Sequence, residues 1–166
     1  MQSKLMTLSD QIKILNEPLS FSEINLDENL ETLENENWGP PTFPSYVVTT
    51  CYEMRTIPLK QLTTEHLRLA IGQKFSLPYL IPLALEKLQH NPLLSVSFFD
   101  GDLLKNLLSL PDEYYGWDKA STLSLLVLAK KAKAILRAKE STRKLYSSDI
   151  EIMTLIEKFT QKYSDV

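Results

Sequence analysis

Cysteine, glycine and histidine are scarce in this chain, and each scarcity excludes a class of protein. The 166 residues include one cysteine, Cys51, which rules out an internal disulfide and a CxxC metal pair. The four glycines stand alone, so they form no phosphate-binding loop, and their small number disfavours a turn-rich β fold. The longest apolar run lies near residues 123–129, far short of the ~20 residues of a membrane-spanning helix. With no apolar segment of signal-peptide length at the N-terminus, we expect a cytoplasmic protein.

The sequence also lacks a catalytic signature. The two histidines, His66 and His90, lie on different segments without metal-ligand spacing, and the GxSxG, HExxH and Walker patterns are absent. Asp100 and Asp102 are more simply read as a helix cap and a first-turn acid than as paired carboxylates. We therefore predict a protein that is not an enzyme, with no catalytic residue, no metal and no cofactor. A further interpretation, ranked below the two given at the end of this subsection, is an enzyme that uses Cys51 and a histidine.

Apolar residues spaced three and four apart predict helices along most of the chain. We predict one all-α domain over residues 1–166, a bundle of roughly six to eight helices with short loops. Proline, caps and apolar stripes set the expected boundaries. The expected features are a helix over 8–15, one over 22–36 capped by Ser22, one over 45–56 capped by Ser45, one over 64–73 capped by Thr63, one from about Tyr79 with Pro82 in its first turn, one after the cap Asp100, a loop over 112–118, one from Lys119 to about Ala138, and a last one with a Ser148–Glu151 capping box.

Charge is distributed unevenly along the sequence. Residues 1–45 contain eight acids and two bases, whereas residues 119–144 contain eight bases and one acid. Such a division marks either partner-binding surfaces or solvated helix faces. We expect the acidic helix to attract a basic protein and speed its association, and acids in or beside later loops form a second candidate surface. The first set is Asp27, Glu28, Glu31 and Glu34, and the second is Asp100, Asp102, Asp112, Glu113 and Asp118.

Five segments within residues 29–110 carry a resemblance that composition does not reveal. They read LETLENENWGPP, YVVTTCYEMRTIPL, LTTEHLRLAIGQ, LPYLIPLALEKLQHNPL and FFDGDLLKNLLSL. Their order and spacing resemble the immunity proteins of bacterial contact-dependent growth inhibition (CDI) systems. Residues 1–25 and 112–166 lie outside this resemblance.

The resemblance implies a function. A neighbouring bacterium delivers a toxin domain carried at the C-terminus of a large secreted exoprotein, and the immunity protein binds and neutralises that toxin in the cytoplasm. Many such toxins are nucleases with basic substrate clefts, for which an acidic inhibitor is physically suitable. The alternative is a helical nucleic-acid-binding or regulatory protein that uses the basic stretch 130–144.

Overall fold

The computed structural model describes residues 23–165, except for the side chains of Gly116 and Trp117. Within that range the chain is helical with no strand, which confirms the all-α prediction. The helix predicted over residues 8–15 lies outside the described residues. A short 3₁₀ turn follows the second helix at Leu59–Gln61. The described α-helices are α1 (Leu30–Glu34), α2 (Tyr46–Met54), α3 (Thr64–Gln73), α4 (Leu77–Leu88), α5 (Asp102–Leu108), α6 (Asp112–Trp117), α7 (Lys119–Glu140) and α8 (Ser147–Tyr163).

The predicted N-caps of α2 and α3 are confirmed. The Ser45 hydroxyl accepts a hydrogen bond from the Val48 amide at 3.2 Å. The Thr63 hydroxyl accepts one from the His66 amide at 3.3 Å, and His66 Nδ1 accepts one from the Thr63 amide at 3.1 Å. Because these bonds satisfy amides that have no partner within the helix, they fix where each helix begins.

The helix predicted over residues 22–36 is wrong in its extent, because α1 is the only α-helix among residues 23–36, and its predicted cap Ser22 lies outside the described residues. The Asn25 side chain accepts from the Asp27 amide at 3.1 Å, and the Asn29 side chain caps α1 from the Thr32 amide at 2.9 Å. Asn35 then ends the helix in a left-handed conformation. Two asparagine side chains thus compete for backbone amides, and a third asparagine adopts the left-handed backbone, so the segment is broken despite its leucine stripe.

Two further boundaries differ from the prediction around α4 and α8. Helix α4 begins at Leu77, so Pro78 occupies the first turn and Pro82 lies inside the helix, where it removes one backbone hydrogen bond. At α8 the expected Ser148–Glu151 capping box is not formed. Asp149 instead accepts from the Tyr146 amide at 3.0 Å, which starts the helix at Ser147.

The expectation that Asp100 caps α5 is wrong. The N-cap is Gly101, whose φ of 83° is a left-handed conformation that favours glycine. A Cβ at Gly101 would lie 2.9 Å from Ile152 Cδ1 and 3.0 Å from Leu93 Cδ2. Gly39 has a similar φ of 70°, but a Cβ there would meet nothing within 4 Å. The glycine of the GDLL segment is therefore required both by its backbone and by its neighbours.

The predicted polar loop over 112–118 is largely the helix α6, which buries two tyrosines. Tyr114 is 2% exposed and Tyr115 3% exposed. The Tyr115 hydroxyl donates to the Leu107 carbonyl, and its ring packs edge-on against Phe159 at 5.0 Å between centroids. The two buried rings hold α6 against the core. The segment was predicted to be a loop because polar residues surround these tyrosines in the sequence.

The core runs between two groups of helices. Helix α3 packs against α2, α4 and α5, while α8 packs against α7 and α5. Helix α4 also contacts α7, which joins the groups. On the sequence we also predict that Trp38, Leu67, Ile71, Leu80, Leu85 and Leu104 are buried, and all of them are except Trp38, which is only partly buried.

Candidate partner-binding surfaces

Glu34 was predicted to face a partner, but its side chain is 3% exposed and forms an ion pair with Arg55. Arg55 is itself fully buried, and it also donates to the Glu36 carbonyl at 2.9 Å and to the Ser76 hydroxyl at 3.2 Å. Its guanidinium lies 4.1 Å from the centroid of the Trp38 ring. The Glu34 carboxylate therefore ties the end of α1 to Arg55, the residue after α2, and it is not available on the surface.

Asp102 was expected in or beside a loop free to meet a partner, but it is buried at 3% exposure. Its carboxylate accepts hydrogen bonds from three consecutive amides, those of Val96, Ser97 and Phe98, at 2.9–3.0 Å. A buried carboxylate needs such donors to offset its lost hydration. Asp102 therefore holds the loop over residues 95–100 in one conformation, and the expectation of an accessible Asp102 is wrong.

Four of the other predicted acids are exposed or partly exposed and already have a partner. Asp27 pairs with Lys60, Asp100 with Lys139 at 3.2 Å, and Asp118 caps α7 by accepting from the Ser121 amide at 3.0 Å. Asp112 pairs with Lys162, and the hydrogen bond from that lysine lowers the pKa of Asp112. Surface pairs of this kind contribute little to stability, and they reduce the net charge that a partner meets.

Glu28, Glu31 and Glu113 form no ion pair within residues 23–165. Glu28 and Glu31 lie beside the C-terminal end of α2, since the Glu31 amide donates to the Arg55 carbonyl at 3.2 Å. Glu113 lies on α6, which packs against α7. The structure thus places the two predicted acidic sets on separate elements and leaves two acids without an ion pair in the first set and one in the second.

The basic stretch over 130–144 is partly occupied by contacts within the fold. Lys131 donates to the Gln89 carbonyl at 3.0 Å, and Lys133 pairs with Glu157 at 3.3 Å. Lys139 pairs with Asp100, and Arg143 lies 3.4 Å from the buried Asp149 carboxylate. These bases connect α7 with its neighbours, which favours the solvated-face interpretation over a nucleic-acid site.

The structure reveals a surface that the sequence analysis did not single out. We name it the aromatic patch and define it as Tyr46, Arg68 and Phe98. Its two rings are 67% and 74% exposed, in that order. The Arg68 guanidinium lies 4.6 Å from the centroid of the Phe98 ring. Aromatic side chains and arginine are enriched in protein–protein interfaces, so this patch is a candidate binding surface.

Arg68 is held in place by the Glu65 carboxylate. Its guanidinium donates two hydrogen bonds of 2.8 Å to Glu65, and the Ser97 hydroxyl donates to the same carboxylate. The bonds to Glu65 raise the pKa of Arg68, and the charges of Asp102 and Tyr46 act in the same direction. Phe98 was missed because Phe98 and Phe99 look alike in sequence, and only the loop conformation set by Asp102 turns the first outward.

The three residues considered for catalysis have structural surroundings. Burial raises the pKa of the Cys51 thiol to about 11. Burial lowers the pKa of His66, although the charge of Glu65 opposes it, and His66 completes the cap of α3. His90 is exposed after α4. Among residues 23–165, no group of three or more acidic, histidine or cysteine side chains is arranged to hold a metal ion. No helix in this range is long and apolar enough to cross a membrane.

Exposed rings and charged groups on a helical scaffold are features of a protein that binds another protein. Residues 32–125, more than half of the chain, match the family model of CDI immunity proteins. The chain therefore belongs to the family of CDI immunity proteins, which protect against a CDI toxin. Neither the curated proteins nor the solved structures contain a match.

Proposed function

We propose that this chain neutralises its cognate CDI toxin by binding it directly in the cytoplasm. The toxin would be the C-terminal domain of a large secreted exoprotein, and we propose that it is a nuclease. The observation that carries the proposal is the family match over residues 32–125. In this mechanism the chain acts by occupying a surface of the toxin, and no step requires chemistry from the chain itself.

Charge supports a basic partner. A nuclease must attract phosphates, so its substrate cleft is positively charged, and an acidic inhibitor is steered toward it. On this chain Glu28 and Glu31 are the available acids of the first predicted set, with Asp27 adding a charge that Lys60 partly offsets. Glu34 is excluded from this surface because its carboxylate serves Arg55.

The required affinity is high, because an inhibitor of a lethal enzyme must keep nearly all of it bound. Nanomolar dissociation corresponds to about −12 kcal/mol. An interface of about 1,600 Å2 suffices if its central contacts are well packed. Exposed acids at the rim would then mainly set the association rate and its dependence on salt.

The first experiment tests binding and inhibition together. The chain is co-expressed with the toxin domain encoded beside it, the pair is purified, and RNA and DNA cleavage by the toxin is measured with and without the chain. We expect a stable one-to-one complex and loss of cleavage at equimolar ratio. A toxin that cleaves nucleic acid equally well with a stoichiometric excess of the chain would contradict the proposal.

The second experiment tests the acidic surface. Asp27→Asn, Glu28→Gln and Glu31→Gln are combined, and toxin association is measured by stopped flow at low and high salt. The control combines Glu140→Gln, Glu151→Gln and Glu157→Gln, three exposed acids of α7 and α8, so both variants lose the same formal charge. We expect the first variant to associate more slowly than the control at low salt and equally at high salt. Equal rates at both salts would move the acidic contact to Asp100, Asp112, Glu113 and Asp118.

A further inference from the structure

The loop over residues 95–100 combines a rigid base with an exposed ring. The buried Asp102 carboxylate binds the amides of residues 96–98, and the Ser97 hydroxyl is bound by Glu65. The result is that Phe98, at 74% exposure, projects from a loop with little freedom to move. A buried carboxylate generally stabilises a core less than an apolar side chain of similar size does. We therefore attribute the role of Asp102 to the order that it gives the loop.

The other side chains of the aromatic patch continue this arrangement on α2 and α3. Arg68 covers one part of the Phe98 ring and is itself held by Glu65. Tyr46 is the first residue of α2, and its charge interaction with Arg68 shows that the two side chains are close. Aromatic side chains have few rotatable bonds, so they lose little conformational entropy on binding. A side chain that is already held in place, such as Arg68, loses less, which favours tight association.

We propose that the aromatic patch is the centre of the toxin-binding surface, and that it receives lysine and arginine side chains of the toxin on its exposed rings. This inference rests on the proposed function, because it presupposes a basic toxin that binds directly. Cations bind favourably over aromatic faces, most strongly where water is excluded. The patch would thus supply the central contacts that the affinity requires.

Charge around the patch is complementary to such a partner. Tyr46, Thr50 and Glu53 follow one another at helical spacing on one face of α2, and Glu53 is exposed. Glu31 lies beyond the C-terminal end of the same helix, beside Arg55. Since α2 has nine residues and spans about 13 Å, the patch and the acidic segment fit within one standard interface.

A second exposed ring provides the comparison that separates these features from exposure alone. Tyr146 is 67% exposed, the same as Tyr46, and its ring also carries an arginine, with Arg143 at 4.4 Å from the centroid. Arg143 is paired with Asp149 as Arg68 is with Glu65, but the adjacent Lys144 forms no ion pair within residues 23–165, and its positive charge would repel a basic toxin. The two rings therefore match in exposure and in cation stacking, and they differ in the charge beside them.

The test compares Tyr46→Ala and Phe98→Ala with the matched control Tyr146→Ala. Binding of each variant to the purified toxin domain encoded beside the chain is measured by calorimetry, and growth protection is measured in cells that express the toxin. All three side chains are exposed, so circular dichroism and melting temperature should match the unmodified chain. We expect each patch variant to weaken binding at least about tenfold, and the control to stay within about threefold.

Each outcome is decisive. If the unmodified chain binds and both patch variants bind as well as Tyr146→Ala, the inference is overturned while the proposed function stands. If the unmodified chain neither binds the toxin nor protects cells, the proposed function itself fails. Phe98→Leu tests the chemistry, because it keeps an apolar side chain and removes the aromatic face. Full affinity in Phe98→Leu would overturn the assignment of a basic contact at this ring.

Discussion

Glu34→Gln tests whether an acid that was predicted to face a partner is instead part of the fold. The change keeps the size of the side chain and removes its charge, which leaves Arg55 buried without its counter-ion. The remaining partners of the guanidinium are the Glu36 carbonyl, the Ser76 hydroxyl and the Trp38 ring, all of them neutral. Because a buried cation needs a counter-ion more than it needs a further dipole, these partners offset only part of the loss.

The expected cost follows from the burial of both groups. Removing one member of a buried pair typically costs about 3–5 kcal/mol, because the other charge stays desolvated. For a chain of 166 residues this corresponds to a fall in melting temperature of about 6–20 °C. The assay is urea unfolding followed by far-ultraviolet circular dichroism, with the slope of the transition compared between variants to verify two-state behaviour.

Asp27→Asn is the control for Glu34→Gln, since it breaks the pair with Lys60 on the surface. The two side chains of that pair are 74% and 55% exposed, so we expect a loss below about 1 kcal/mol. The combination of Glu34→Leu with Arg55→Met should recover most of the stability lost in Glu34→Gln, because it leaves no buried charge. A Glu34→Gln variant no less stable than Asp27→Asn would refute the reasoning.

Three further predictions concern two glycines, His66 and the basic stretch 130–144. Gly101→Ala should cost at least about 2 kcal/mol and Gly39→Ala about 1 kcal/mol in urea unfolding, because both are left-handed but only the first meets neighbouring atoms; equal losses would contradict the clash. Because the folded pKa of His66 is lowered, the unfolded chain binds the extra proton, and stability should fall as pH drops below 6.5. That fall should be smaller in His66→Gln than in His90→Gln, and both variants should still protect cells from toxin. The basic stretch 130–144 should bind RNA only weakly at physiological salt; sub-micromolar, sequence-selective binding would instead favour a nucleic-acid function.

Local signals in the sequence predicted most of the helices, and competing local signals account for the errors. Ser45 and Thr63 mark helix starts because a short polar side chain before an apolar stripe has one dominant use. Residues 22–36 also carry a leucine stripe, but their asparagines bind nearby amides and limit the helix to α1. The leucine stripe correctly predicted that Leu30 is buried, but it did not predict the length of the helix.

The candidate surfaces were less predictable, because a sequence counts charges without showing which of them are already used. Glu34 pairs with Arg55, 21 residues away, and helical spacing does not predict this pair. Asp102 binds the amides of a non-helical loop four to six residues before it, and helical spacing does not predict these bonds either. The exposure of Phe98 depends in turn on Asp102, so the same loop conformation buries the acid and exposes the ring, and no apolar periodicity predicts that conformation. Helix caps depend on residues within four positions, whereas surfaces depend on the whole fold.

Charge and shape then have separate parts in recognition. Acids that attract one basic nuclease attract others as well, so steering by Glu28 and Glu31 would speed association without selecting a partner. Discrimination requires contacts that a wrong partner cannot satisfy, and these depend on the fixed position of each group. In this chain the fixed positions lie at the aromatic patch, where Asp102 orders the loop and Glu65 orders Arg68. A substitution that loosens either brace should therefore reduce selectivity among toxins more than it reduces the rate of encounter, whereas loss of the free acids should do the reverse.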